Sequence, residues 1–141
     1  MKLQNKTINM KEIKIPATDK SPRVLFDPQN KIFELEGNSR PENVRDFYKP
    51  IIDSLTKFFN HLLENGTDEM PVKFVYKLDY FNSSSAKFIS DIFFLVGNYS
   101  KKGVPVKIYW YFDEGDEDMM EVGEDFSDMI DVPFQMVMIS Q

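Results

Sequence analysis

LDYFNSSSAKFISDIFFLV, residues 78–96, changes its period midway. In VKFVYKLDYF (72–81), Val72, Phe74, Tyr76, Leu78 and Tyr80 share one face. Lys73, Val75, Lys77, Asp79 and Phe81 share the other, which is the period of a strand. From Ala86 the spacing is helical, with Phe88, Ile92, Leu95 and Tyr99 on one stripe and Ile89, Phe93 and Val96 beside it. Lys101 and Lys102 complement the helix dipole at its C-terminus, and Gly103 ends the helix. Between strand and helix sit Asn82, Ser83, Ser84 and Ser85, more hydroxyls than one cap requires.

Working outward, RVLFD (23–27) and KIFELEG (31–37) read as two short strands joined by a turn at PQN (28–30). Ser39-Arg-Pro-Glu42 reads as a capping box opening a helix that runs to about Glu64. Phe47, Ile51, Leu55, Phe58 and Leu62 form its apolar face, and Asn65-Gly66 closes it. VPVKIYWYF (104–112) is the next strand, DEDMMEVGEDFSDMI (116–130) an acidic helix, and VPFQMVMI (132–139) a last strand. The order predicts an α/β fold: a mixed sheet with an N-terminal antiparallel hairpin, followed by alternating helices and parallel strands. The pattern leaves open whether the helices cover one or both faces. Residues 1–20 read as an N-terminal tail able to dock at the domain edge, with Met10 an alternative start. Residues 21–141 then form a single domain, as the length of 141 residues suggests.

The chain has no cysteine, so disulfide and thiolate chemistry are excluded, and a cytoplasmic location is expected. No N-terminal apolar run suggests a leader, and no stretch approaches a membrane span. Asn65-Gly-Thr and Asn98-Tyr-Ser then read as chance sequons. The net charge of −6 is unevenly placed. Residues 108–141 hold ten Asp or Glu and no Lys or Arg; the other 107 residues have a balance of +4. The acidic end argues against nucleic acid and for a basic partner surface.

A strand-to-helix loop in an α/β sheet opens at the carboxyl end of the strands, where binding sites concentrate. The amides of a first helical turn favour a phosphate. From the residues alone the serines have two readings. One is a helix cap; the other is a phosphoacceptor, which adds about −1.5 to −2 charge where the fold tolerates it. The only histidine, His61, falls beside the apolar stripe of the first helix and reads as a boundary side chain. No Gly-x-Ser-x-Gly elbow supports a hydrolase. The run Asp113-Glu-Gly-Asp116-Glu-Asp118 fails the EF-hand register, because Gly115 falls at position three. Tyr109, Trp110, Tyr111 and Phe112 lack the basic flanks of an RNA-binding sheet and read as a strand with one buried and one helix-covered face. Met119, Met120, Met129, Met136 and Met138 read as core filler.

Strand, Asn-Ser-Ser-Ser, then apolar helix resembles the phosphorylation loop of STAS domains, the anti-sigma-factor antagonists. Those carry Asp-Ser-Ser-Gly, so Asn82 stands for the Asp and Ser85 for the Gly. A closer resemblance is to the SiaC family of bacterial regulatory phosphoproteins, which share a STAS-like core. It covers most of the chain: IPATDKSPRVLFD (15–27), GNSRPENVRDFYKPIIDSL (37–55), FNSSSAKFISDIF (81–93) and GVPVKIYWYFDEGDEDMMEVGEDF (103–126). The resemblance implies a non-enzymatic partner switch without a cofactor. Its phosphoacceptor is Ser83, with Ser84 the second candidate, while Asn82, Ser84 and Ser85 shape the loop and contact partners. The implied partners are a serine kinase, a PP2C-type phosphatase and a GGDEF-type diguanylate cyclase that the unphosphorylated form stimulates, in control of cyclic-di-GMP and biofilm. Two alternatives are an anti-sigma-factor antagonist of the same fold and a small-ligand-binding sensor domain.

Overall fold

The computed structural model describes residues 10–140. It contains β1 (Ile13–Ile15), β2 (Arg23–Asp27), β3 (Ile32–Ser39), α1 (Val44–Asn65), β4 (Val72–Phe81), α2 (Ser83–Lys101), β5 (Val106–Asp113), α3 (Glu117–Met129) and β6 (Phe134–Ile139). The six strands lie in sequence order, β1-β2-β3-β4-β5-β6. β1, β2 and β3 are antiparallel neighbours, and β3 to β6 are parallel. The expected hairpin and the alternating parallel section are both present, and β1 adds a short strand at the outer edge of the hairpin.

Sequential order answers the question that the pattern left open. Each crossover from β3 onward steps one strand in the same direction, so crossovers of one hand place every helix on one face. The pairing register shows which face. Ile13, Phe26, Phe33, Phe74, Ile108 and Phe134 form one row across all six strands. Ile15, Val24, Leu35, Tyr76, Trp110 and Met136 form the next. The helices pack on these rows: Phe58 meets Phe26 edge-on, Phe59 stacks on Phe74, Phe93 on Tyr76, and Phe126 lies against Trp110.

The opposite face carries no helix. Tyr109 and Tyr111 lie there, half-buried, which corrects the helix-covered expectation for the aromatic run; Trp110 enters the core and Phe112 packs against it, half-buried. The Lys107 and Lys77 ammonium groups cover the two tyrosine rings at 5.1 and 4.7 Å. Arg23 spans Glu34 and Glu36 at 3.0 and 3.2 Å on the same face. Such a face needs no second helical layer, because its apolar area is broken up by charge.

Three further expectations change. Ser39 does not cap α1. It is the last residue of β3, fully buried, and Asn43 is the cap, with its side-chain oxygen accepting the Asp46 N–H at 3.3 Å. The buried stripe of α2 is centred on Ile89, Ile92, Phe93 and Val96, while Phe88 and Leu95 flank it half-buried. Of the methionines, Met119 is buried but Met129 and Met138 are exposed.

Gly123 sets the distance of α3 from the sheet. A Cβ there would lie 2.4 Å from Trp110 Cδ1 and 2.6 Å from Nε1. The Trp110 Nε1–H donates to the Met119 carbonyl at 3.0 Å, which holds the indole under the helix. Gly123→Ala must therefore lift α3 or tilt Trp110. The expected cost is about 1–3 kcal/mol, read as a lower urea midpoint with an unchanged slope; an unaltered midpoint would show that the helix has room to shift.

Candidate functional site

The loop after β4 is held from below. Asn82 has extended backbone (φ −86°, ψ 175°), and its side-chain oxygen accepts the Ser85 N–H at 2.9 Å. Its carbonyl accepts the Ala86 N–H at 2.9 Å, and its own N–H donates to the Ser39 carbonyl at 3.1 Å. Asn82 therefore caps α2 and joins the loop to the end of β3. Ser85 is fully buried. Its Oγ accepts a hydrogen bond from Ser39 Oγ at 2.8 Å, and Ser39 Oγ is 2.5 Å from the Tyr48 hydroxyl. With Ser39 donating to Ser85, Tyr48 donates to Ser39. Three buried hydroxyls thus join β3, α1 and α2, and the Tyr48 ring stacks on Phe88 of α2 at 5.8 Å.

Ser83 and Ser84 are exposed in the first turn of α2. That turn contains no acidic residue, and its amides have no carbonyl one turn back to bond. Lys87 follows one turn after Ser83, with its Nζ 3.5 Å from Asp91. Tyr80, half exposed, projects from the strand end just before the loop. The three serines therefore divide into one interior hydroxyl and two presented ones. His61 lies on α1, half-buried, with Nδ1 3.2 Å from the Asn65 side-chain nitrogen.

Ser39 and Tyr48 belong to this site, yet sequence reasoning assigned Ser39 to a cap and passed over Tyr48. The available signal was a phenol on the apolar face of α1, beside Phe47 and one turn before Ile51 and Ile52. A buried tyrosine hydroxyl normally has a partner. Burial raises the Tyr48 pKa to about 12, against the opposing effect of the neighbouring Ser39 and Ser85 hydroxyls. Burial likewise raises that of Tyr76, whose hydroxyl has no hydrogen-bond partner among the described residues.

The chain is thus a two-layer α/β domain with a capped serine loop at the carboxyl end of its parallel strands. Residues 15–139 match the model of the SiaC family regulatory phosphoproteins. The chain belongs to the SiaC family. It is 30% identical, over 125 residues, to an uncharacterised protein of Pseudomonas aeruginosa strain UCBPP-PA14; the match covers 89% of this chain and 94% of that one. The crystal structure of apo-SiaC from Pseudomonas aeruginosa superposes with a TM-score of 0.80 at 27% identity, covering 91% of this chain and 99% of that one. SiaC crystallised in complex with the diguanylate cyclase SiaD, whose activator it is, superposes with a TM-score of 0.81 at 28% identity, covering 90% and 99% of the two chains.

Two stability measurements check the hydroxyl chain. Tyr48→Phe leaves the two serines bonded to each other and is expected to cost about 1 kcal/mol, whereas Tyr76→Phe removes an unpaired buried hydroxyl and is expected to be neutral or stabilising. The raised Tyr48 pKa contributes stability that is fully present below pH 10, the ordinary tyrosine value, and is lost as pH rises toward about 12. Unfolding followed across that window should show a shallower fall in Tyr48→Phe than in wild type; parallel profiles would mean that Tyr48 ionises as freely folded as unfolded.

Proposed function

We propose that this protein is a phosphorylation-controlled partner switch whose unphosphorylated form binds and stimulates a GGDEF-type diguanylate cyclase. The phosphoacceptor is Ser83. A serine kinase transfers the γ-phosphoryl group of ATP to Ser83 Oγ, releasing ADP and the hydroxyl proton. A PP2C-type phosphatase hydrolyses the ester with water and returns the serine and inorganic phosphate. The protein carries the signal and catalyses no step. The single observation behind this reading is an exposed serine directly after the cap of a helix whose first turn is pinned to the core.

The chemistry of the switch follows from that position. A phosphate on Ser83 adds about −1.5 to −2 charge at neutral pH. The N-terminal dipole and the free amides of α2 stabilise it, each effect on the order of 0.3–1 kcal/mol at an exposed position. The domain therefore keeps its fold, and the change falls on whatever docks against the loop. A desolvated partner surface meets both new bulk and new charge. The cyclase as target rests on family membership and on the activator role of SiaC towards SiaD in the related complex. An anti-sigma-factor antagonist would use the same loop with a different partner. A ligand sensor with its pocket at these strand ends would need a cavity there, and the cleft beside Leu78 and Phe112 encloses only about 100 Å3. Ligand sites usually enclose roughly 300–1,000 Å3.

The test has two arms. Tryptic digestion of the protein from its own cells releases LDYFNSSSAK (78–87), and fragmentation should place the phosphate on Ser83. Cyclase turnover of GTP is then followed against added wild type, Ser83→Ala, Ser84→Ala and Ser83→Asp. The alanine variants should stimulate as wild type does, and Ser83→Asp should need at least about tenfold more protein, or roughly 1.4 kcal/mol. Phosphate found only on Ser84, or full stimulation by Ser83→Asp together with an unphosphorylated peptide, would overturn the assignment.

A further inference from the structure

The two edges of the sheet are defended very differently. β1 is three residues long, carries Lys14 at its centre, paired with Glu12, and is followed by Pro16. Shortness, charge and proline are the usual means of blocking an edge. β6 has none of them. Its six residues, FQMVMI, hold no charge, proline or glycine, and it is the last strand of the sheet among the described residues.

The hydrogen bonds show which backbone groups of β6 face outward. The Pro133 carbonyl accepts from Ile108 N–H at 2.9 Å, and the Ile139 carbonyl accepts from Glu114 N–H at 2.8 Å. Odd-numbered residues thus turn their backbone groups toward β5, as strand alternation requires. Phe134, Met136 and Met138 turn theirs to the free edge. Met138 is 53% exposed and Ile139 38%. A row of unsatisfied N–H and C=O groups bordered by apolar side chains is a template for one more strand.

The charge beside that edge selects the occupant. α3 packs over β5 and β6, and Glu117, Asp118, Glu121, Glu124, Asp125 and Asp128 are all exposed on it. A second copy of this chain, paired antiparallel through β6 about a twofold axis normal to the sheet, would bring two such helices side by side on one face. Like charges so placed repel. A strand bearing Lys or Arg gains from the same field.

We infer that the free edge of β6 is a β-augmentation site for an extended segment of a partner protein, apolar at alternate positions and flanked by Lys or Arg. Main-chain bonds to Phe134, Met136 and Met138 supply the affinity, and the acidic α3 supplies the selection. The site uses the sheet edge and not the serine loop, so it stands whether or not Ser83 is phosphorylated.

Met138→Pro tests it with little risk to the fold. It removes an N–H that β5 does not use, and proline is tolerated on an edge strand when that group faces solvent. Random twelve-residue peptides displayed on phage are selected on the full chain. The enriched sequences, made as free peptides, are titrated against wild type and Met138→Pro. Expected are alternating apolar residues with Lys or Arg, binding at least tenfold weaker to Met138→Pro and weakened by salt. In wild type, the same peptides should slow amide exchange at Met136 and Met138, a readout that does not depend on the variant folding. No enrichment overturns the proposal, as does equal binding to both proteins with exchange at β6 unchanged. A wild-type dimer that Met138→Pro abolishes also overturns it, by making a second copy the occupant.

Discussion

The buried hydroxyl chain from Tyr48 through Ser39 to Ser85 is the constraint on which the carboxyl end of the sheet depends. It joins the last residue of β3, the first turns of α1 and the first turn of α2. In a water-excluded site each hydroxyl left without a partner costs roughly 1–3 kcal/mol, so the three elements are held in one arrangement. Asn82 adds a second fastening, since its side chain and both of its backbone groups are bonded to α2 or β3. The loop between β4 and α2 thereby takes its shape from the core beneath it. A modification on its outer side changes the surface and leaves the frame in place.

Below that rim, the sheet is organised by rows that run across all six strands. Large rings fill the helix-facing rows, and they stack or meet edge-on, so the aromatic content is spent on one layer of contact. Trp110 is central to it, touching Tyr76, Phe93 and Phe126 while its N–H is bonded to α3. Gly123 is what lets α3 lie so close. The helix-free face is made tolerable by the same alternation. Its tyrosines lie under lysine side chains, and its carboxylates are spanned by Arg23. A two-layer domain of this length can leave one face of its sheet to water only when the exposed rows are mixed in this way.

What the sequence made legible follows the range of the interaction concerned. β2, β4 and α2 fall where the periodicity places them, because alternation and helical spacing are local properties of a few residues. Ser39 was misread because a capping box is also a local pattern. The side chain had a better use across the fold, bonding Tyr48 and Ser85, and the strand ran on through it. The stripe of α2 was placed one residue off: its flank, not its centre, carries Phe88 and Leu95, and either stripe has the required spacing. That all helices lie on one face is a property of strand order, which no short window contains. The exposure of Met138 depends on β6 being an edge, and was hidden for the same reason.

Helix geometry explains why three consecutive serines do not do the same work. Successive residues turn about 100° around the axis, so Ser83 and Ser85 point roughly 200° apart. Ser85 therefore enters the core, where a hydroxyl is required by Ser39 and where a phosphate has no room. Ser83 and Ser84 remain outside, and their neighbours one turn on differ. Ser83 is followed at i+4 by Lys87, and Ser84 by Phe88, whose ring is committed to Tyr48. Residues at i and i+4 lie on one face of a helix. Lys87 is also at i+3 from Ser84, and its ammonium, 3.5 Å from Asp91, lies over the Phe88 ring at 4.7 Å, so it is within one turn of either serine. The proposed choice of Ser83 over Ser84 therefore rests on its place directly after the cap.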